Sequence, residues 1–387
     1  MITRLGQPRA DQHLERPRIV IDTSALVQPG SHRGLGRYSR ALRAAAHELG
    51  RFDVVEYQAK GRRGRLDDWL DIPGRAWSVA RHGAYFHATS PYQLVPTRLR
   101  STAVSMLDAI PLDLPAYRQT GVKADFFYGL ATQCAVIVTL SHHGAERIQQ
   151  LLDVPAAHIV SAPLPMVPAR VSESAPCRCA LAIEDFDQYV TSLIDLSTDD
   201  PRKRLPWILG MAEPLRCRGI RLVLTGNGTR SLTSGNVVGT GRLCDRHMHA
   251  LFAGARCFVS ATAYEGQGLP PQEALSEGTP VVAFRNTSLP EMLGDGALWL
   301  DEPAGSWGRL TSTAGTDVAS SELTDAVLAL CEDQVLRDRL GAAGRHHVMQ
   351  FTQKRFTESI GRAYDLLTDR SGGPGNAPRA TQQSSGS

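Results

Sequence analysis

Lysine is scarce in this chain: of 42 basic residues only Lys60, Lys123, Lys203 and Lys354 are lysines, so a lysine inside a motif carries unusual information. Long apolar runs are missing too. No stretch approaches the roughly 20 residues needed to span a bilayer, and the opening "MITRLGQPRADQHLERPR" has no apolar h-region. A transmembrane anchor and a secretory signal are therefore not expected. The seven cysteines (Cys134, Cys177, Cys179, Cys217, Cys244, Cys257, Cys331) form an odd set without Cys-x-x-Cys pairs. That argues against a disulfide framework and a structural zinc site, and points to a reduced, cytoplasmic compartment. A net charge of +3 is too small to imply a nucleic-acid partner. The local clusters Lys60 to Arg65 and Arg33 to Arg43 read as solvated surface, or as a face toward anionic lipid or a phosphorylated substrate.

What is present is an ordinary globular composition, 42% hydrophobic and 21% charged, over 387 residues. That length favours two domains. "RIVIDTSAL" reads as a buried strand and "RYSRALRAAAHEL" as a helix; "DVVEYQA", "AYFHAT", "STAVSMLD" and "AVIVTLS" follow as strands. A second alternating series starts at "QYVTSLIDLS" and runs through "IRLVLTG", "NVVGTG", "RCFVSAT", "PVVAF" and "ALWLD", with "RLPWILGMAEPL", "DRHMHALFAGA", "PPQEALSEG" and "SLPEMLG" as helices. The class is α/β, two doubly wound Rossmann-like domains facing across a cleft. The expected divisions are a polar extension (1–17), a first domain (18–164), a Pro- and Ser-rich linker (165–187), a second domain (188–350), a terminal helix (351–369) and a Gly/Ser/Gln-rich disordered tail (370–387).

The densest chemistry lies in "AYEGQGLPPQEALSEG" (Ala263 to Gly278). Pro270 and Pro271 suit the first turn of a helix, where a missing N–H costs nothing. This places Glu265 on the approach loop and Glu273 in the first turn, with the Gly268 and Leu269 amides and the helix dipole forming an anion site. Carboxylates would repel a phosphate, so they are expected to accept hydrogen bonds from hydroxyls on either side of it. A nucleoside diphosphate sugar has that pattern.

With these residues in hand, "YEGQGLPPQEALSEGTPVVAFRNTSLPEMLGDGALWLDEP" resembles the signature of retaining glycosyltransferase family four, of GT-B fold, whose Glu-x7-Glu motif opens a run E-G-F-G-L-P-x-x-E-A. The resemblance implies that Glu265 contacts the donor sugar hydroxyls, Glu273 the ribose and the Gly268 and Leu269 amides the diphosphate, with Gln267 also on the donor. "DDPRKRLPWIL" resembles the family's "EPRKN" segment, so Arg202 and Lys203 would neutralise the diphosphate, with Ser197 in place of a usual glycine and Arg204 in place of the asparagine. "HRGLGRYSRAL" resembles "GGIGRYxREL", which puts Gly34 and Gly36 on the donor phosphate and Arg37 and Tyr38 on the acceptor side. A dinucleotide fingerprint with Glu56 as ribose acid is the rival; Ser39 at the third glycine position and the long preceding loop disfavour it. "SMLDAIPLDLPAY" resembles "HDLIPL", with Leu107 replacing the histidine and Asp108 retained as the acceptor-side catalytic group. Ser141, in "VIVTLSHHGAERI", is either an acceptor-side group or a helix N-cap.

No metal site is expected: His247 and His249 are two apart on a helix, His142-His143 and His346-His347 lack companion ligands, and Asp185-x-Asp187 and Cys177-x-Cys179 fall in the linker. The resemblance implies a retaining, metal-independent transfer of a hexose-type sugar from a nucleoside diphosphate sugar to a hydroxyl acceptor, in natural-product or cell-envelope glycan synthesis. No cofactor is called for, and peripheral membrane contact is admitted. A non-catalytic nucleotide-sugar-binding relative is the alternative, with a phosphorylase or an epimerase as enzymatic rivals.

Overall fold

The computed structural model describes residues 16–27, 34–59, 67–82, 85–114, 117, 122–166, 188–197, 200–303 and 316–371. The basic cluster at Lys60 to Arg65, most of the linker with Cys177, Cys179, Asp185 and Asp187, most of the polar extension and nearly all of the tail lie outside these residues. Strands β1 (Arg18–Asp22), β2 (Asp53–Tyr57), β3 (Tyr85–Ala88), β4 (Thr102–Ser105), β5 (Val136–Thr139) and β6 (Ile159–Ser161) form a wholly parallel sheet in the order β2-β1-β3-β4-β5-β6. Between them run α1 (Gly34–Leu49), α2 (Asp67–His82), α3 (Ile110–Asp113), α4 (Val122–Ala131) and α5 (His142–Leu152). Buried apolar residues cover both faces of this sheet, as parallel sheets require.

The second unit repeats the plan. Its strands β7 (Tyr189–Leu193), β8 (Arg221–Thr225), β9 (Val237–Gly241), β10 (Phe258–Ser260), β11 (Val281–Arg285) and β12 (Ala297–Asp301) are ordered β12-β11-β10-β7-β8-β9, again all parallel. The helices are α6 (Leu205–Gly210), α7 (Ala212–Arg216), α8 (Asp245–Gly254), α9 (Leu269–Ser276), α10 (Leu289–Leu293), α11 (Thr316–Glu332) and α12 (Gln334–Val348). The stretch expected as one helix, "RLPWILGMAEPL", divides at Met211: Pro214 lacks the N–H that would bond back to Gly210. In this order the strand sequence reverses between β7 and β10, so the segments that follow those two adjacent strands meet at the switch point on the carboxyl edge of the sheet, the usual ligand position in such sheets.

A last helix, α13 (Gln353–Arg370), leaves the second unit and packs on the first. Its residues Phe356, Ile360, Ala363, Tyr364 and Leu367 recur at helical spacing and join the core formed by Ile19, Tyr38 and Leu42. Tyr364 also meets the fully buried His87, whose Nδ1 lies 3.1 Å from the tyrosine hydroxyl while its Nε2 lies 2.9 Å from Ser105 Oγ. Burial lowers the His87 pKa to about 3, so the ring stays neutral and can share protons with both hydroxyls.

The loop leaving β1 is held by a buried ion pair. Asp22 Oδ2 accepts from Arg75 Nε of α2 at 2.7 Å, and Asp22 Oδ1 accepts from the Ser24 N–H at 2.9 Å. Both side chains are almost wholly enclosed. Removing one partner of such a pair leaves a buried charge uncompensated, which costs about 3–5 kcal/mol. Arg75→Met should lower the denaturant midpoint by a corresponding amount, and the double variant Asp22→Asn/Arg75→Met should recover most of it.

Candidate functional site

The crevice is lined by the two loops at the reversal point of the second sheet. After β7 the chain makes a short 3-10 turn, Pro201–Lys203, and Arg204 follows in a left-handed conformation (φ +50°). After β10 it passes through Ala263 and Glu265 into α9. These loops are tied to each other: Ala263 N–H donates to Arg202 O at 2.8 Å, and Arg202 Nη1 donates to Tyr264 O at 2.9 Å. The tie brings Lys203 Nζ onto Glu265 Oε1, with Arg202 Nη1 at 3.8 Å from Glu265 Oε2. Burial pushes the Glu265 pKa up, but Lys203 and Arg202 outweigh it and hold the carboxyl below its ordinary value. Its backbone is fixed on both sides as well, the N–H donating to Thr287 Oγ1 (3.1 Å) and the carbonyl accepting from Ser288 Oγ (2.8 Å).

Gly266 shows why this loop needs a residue without a side chain. A Cβ there would lie 2.9 Å from Asp108 Cβ and 3.0 Å from Leu107 O, so the loop presses directly on the end of β4 in the first unit. Asp108 accepts from the Ile110 N–H at 3.0 Å and faces Glu265 across this contact. Burial raises its pKa above the ordinary carboxylate value, and Glu265 adds to that effect, while Arg202 opposes it.

Gly268 opens α9 with φ +74°, a conformation suited to glycine, and Leu269 is the first helical residue. Pro270 and Pro271 occupy the next two positions, so the only free amides at this helix end come from Gly268 and Leu269. Glu273 falls in the second turn and not in the first, because Leu269 and the two prolines occupy the opening positions. From there Glu273 crosses the cleft to an ion pair with Arg37 of α1, just beyond Gly34 and Gly36 in that helix's first turn.

Three expected site residues have other partners. Tyr38 is fully buried: its hydroxyl accepts from Ser105 Oγ (2.7 Å) and its ring meets Phe356 edge-on, so it belongs to the core and not to the acceptor side. Ser141 is buried as the N-cap of α5, accepting from the Gly144 N–H at 3.0 Å. Gln267 is also buried, with its amide bonded to the backbone of Leu164. Arg204, in place of the family's asparagine, is buried against Glu302 with its guanidinium over the Trp207 ring at 4.3 Å. Ser197 bonds Asp195 through its N–H (2.9 Å) and its hydroxyl. His249 pairs with Glu277, and His247 Nδ1 lies 3.2 Å from Cys244 Sγ.

Several cross-cleft contacts have no motif to announce them. Tyr117 donates its hydroxyl to Asp200 and accepts from the Arg202 N–H at 3.1 Å, with the Arg202 guanidinium 5.9 Å from its ring. Tyr264 donates to Asp113 Oδ2 (3.2 Å), a carboxylate that Arg147 holds through two bonds of 2.8 and 2.6 Å. Glu291 of α10 accepts from the His142 N–H at the start of α5 (3.0 Å). Tyr117 and Tyr264 lie within the runs quoted above, but neither was among the expected site residues.

The opposed pKa shifts of Glu265 and Asp108 have opposite stability consequences. A depressed folded pKa stabilises above the unfolded value and loses that contribution as pH falls; a raised one stabilises at low pH and is lost as pH rises. At pH 7 Glu265→Gln should therefore lower the melting temperature and Asp108→Asn should raise it. Both differences should shrink as pH falls through the ordinary carboxylate values of 4.5 and 3.8, as scanning calorimetry at pH 7 and pH 3.5 would show.

Comparison with known proteins agrees with this architecture. The family described as glycosyl transferases group 1 matches residues 192–333. O-antigen chain mannosyltransferase B of Escherichia coli is 27% identical over 315 residues, 76% of this chain and 77% of that protein. Phosphatidyl-myo-inositol mannosyltransferase of Mycobacterium tuberculosis is 27% identical over 185 residues, 44% of this chain and 45% of that protein. Among solved structures, the sucrose-phosphate synthase of Thermosynechococcus elongatus superposes with a TM-score of 0.65 at 16% identity, covering 92% of this chain and 100% of that one. The second unit thus matches the family of glycosyl transferases group 1, and the two parallel six-stranded sheets together have the GT-B fold.

Proposed function

We propose that this glycosyltransferase moves a mannosyl or closely related hexosyl group from a nucleoside diphosphate sugar to a hydroxyl of a cell-envelope glycan, with retention of anomeric configuration and without a metal ion. The observation that carries this reading is the Lys203, Arg202 and Glu265 cluster at the reversal point of the second sheet, opposite Asp108. The names of the relatives, both mannosyltransferases and one acting in O-antigen synthesis, favour the sugar and the envelope acceptor over a natural-product aglycone.

In this reading Lys203 and Arg202 receive the diphosphate, which gains negative charge as the glycosidic bond breaks. Fixed cations there stabilise the transition state more than the ground state. Their positive charge is the ground for metal independence. Glu265 accepts from donor sugar hydroxyls, Glu273 from the ribose, and the Gly268 and Leu269 amides meet a phosphate oxygen. The bond formed joins the acceptor oxygen to the anomeric carbon, the bond broken joins that carbon to the phosphate oxygen, and the acceptor proton passes to the departing phosphate. Asp108 orients the acceptor hydroxyl. Among the described residues no helix is long and apolar enough to cross a membrane, so a lipid-linked acceptor would be met at the membrane surface.

Thermal-shift screening with UDP-, GDP-, ADP- and dTDP-sugars identifies the donor, since a ligand at 100 times its Kd adds about 2.7 kcal/mol to apparent stability. With that donor, Lys203→Ala and Glu265→Ala should each lower kcat/KM by about 10²–10³, and NMR of the product should show the donor's anomeric configuration. Inversion would refute the retaining reading. Donor binding without transfer to any acceptor would refute catalysis, and turnover dependent on inorganic phosphate would indicate a phosphorylase.

A further inference from the structure

Gln267 stands where the family's run has an aromatic residue, and its side chain is enclosed, 3% exposed. Its Oε1 accepts from the Leu164 N–H at 2.8 Å, and its Nε2 donates to the Leu164 carbonyl at 3.0 Å. The second Nε2 proton goes to Gln272 Oε1 at 3.0 Å, and Gln272 Nε2 donates to Met292 O at 3.2 Å. Because Met292 O can only accept, Gln272 must present its oxygen to Gln267, and the orientation of both amides follows from the network. Both polar atoms of the Gln267 side chain are satisfied by protein.

Leu164 is an unusual partner. It lies between Pro163 and Pro165, which have no N–H, so its amide is the only backbone donor in that tripeptide. A residue before proline is also confined to extended conformations, which stiffens the segment. Leu164 itself is buried in the first unit's core, and Met166 N–H donates to Phe351 O at 2.8 Å, joining the outgoing chain to the segment that returns into α13. Gln267 therefore grips the rigid end of the first unit, where the chain departs for the second.

The same short loop touches the first unit twice. Gly266 rests on Leu107 and Asp108, Gln267 holds Leu164, and Glu265 is next in line. We propose that Gln267 is a positioning residue that pins the Glu265 loop to the interdomain crossover. With the Gly266 contact, the pin holds the Glu265 loop against the first unit beside Asp108. The inference deepens the proposed transfer reaction and rests on it for its kinetic consequence. Gln267 does not touch the donor; it acts through the loop that does.

Two variants and two measurements test this. Gln267→Leu keeps the bulk and removes all three bonds. It should accelerate hydrogen exchange of the Leu164 amide at least tenfold, read residue by residue by NMR so that Leu164 is separated from the Met166 amide on Phe351 O. With the donor identified by thermal shift, kcat should fall about 10- to 100-fold while the donor KM stays within about threefold, because Lys203 and the Gly268 amide are untouched. Gln267→Glu can donate to Leu164 or Gln272 only when protonated, so its kcat relative to the native chain should rise as pH falls, which a mere packing role would not produce. Unchanged Leu164 exchange, a kcat within twofold of native, or a loss confined to donor KM would each overturn the proposal. The exchange measurement needs no turnover, so a chain inactive with every donor would refute the catalytic reading while the pin stands or falls on Leu164.

Discussion

A carboxylate that must remain ionised while largely withdrawn from water organises this molecule. Glu265 is only 14% exposed in its side chain, and removing an ion from water costs several kcal/mol even after relaxation. At an effective dielectric near 20, one opposite charge at about 4 Å returns about 4 kcal/mol. One cation is barely sufficient, which accounts for the presence of two. Lys203 and Arg202 can serve only if the turn after β7 lies against the loop after β10, and the Ala263–Arg202 and Arg202–Tyr264 bonds make that contact. The strand order puts those two loops side by side, so the charge pattern and the topology support one another.

The first unit contributes by holding that loop from the other side. Its contacts are polar and individually modest, but Tyr117 on Asp200, Tyr264 on Asp113, Arg37 on Glu273 and the α5 amides on Glu291 span the cleft at separate points. The Arg202 guanidinium is engaged twice, by Asp200 and by the Tyr264 carbonyl, which fixes it before any ligand arrives, while the Arg202 N–H donates to Tyr117. Such preorganisation is what electrostatic stabilisation of a leaving group requires, since donors that must first reorient forfeit part of their effect. Helix α13 supplies the complementary constraint. By burying Phe356, Tyr364 and Leu367 in the first unit it makes the second crossover a structural tie, and both crossovers meet at Met166 and Phe351.

Much of this was legible in the residues because the relevant signals are local. Apolar runs bounded by polar turns located eleven of the twelve strands described; β6 escaped because its short Ile159–Ser161 run is followed at once by the proline-rich exit Pro163-Leu164-Pro165. Helix α2 was not identified: Pro73 inside it and its mixed polar faces obscure the period. The doubled proline marked the start of α9, but counting from it put Glu273 one turn early, since Leu269 already belongs to the helix. Tyr38 and Gln267 were assigned by motif position to ligands, and both are buried on other partners. A motif records which residues are near a site; it does not record the direction in which each side chain points. Partners such as Tyr117 and Asp200, or Arg75 and Asp22, are far apart in the chain and pair only once two elements dock, so no local pattern reports them.

The Gln267 exchange shows how a position can change chemistry and still serve the same loop. At the end of β6 the backbone leaves the sheet edge through Pro163-Leu164-Pro165, and buried peptide groups there need partners as much as those within a ladder do. Neither proline can donate, and no neighbouring strand follows. A primary amide offers one acceptor and two donors in fixed geometry, which lets a side chain act as the missing strand for a single residue. An aromatic ring in that place would fill the volume but leave the Leu164 N–H and carbonyl to find other partners. The polar residue in the loop and the doubly restricted residue in the crossover are thus two halves of one solution. Substituting either half alone exposes the other's desolvated groups, which is why the loop that carries Glu265 and the joint between the units form a single structural element although they lie a hundred residues apart.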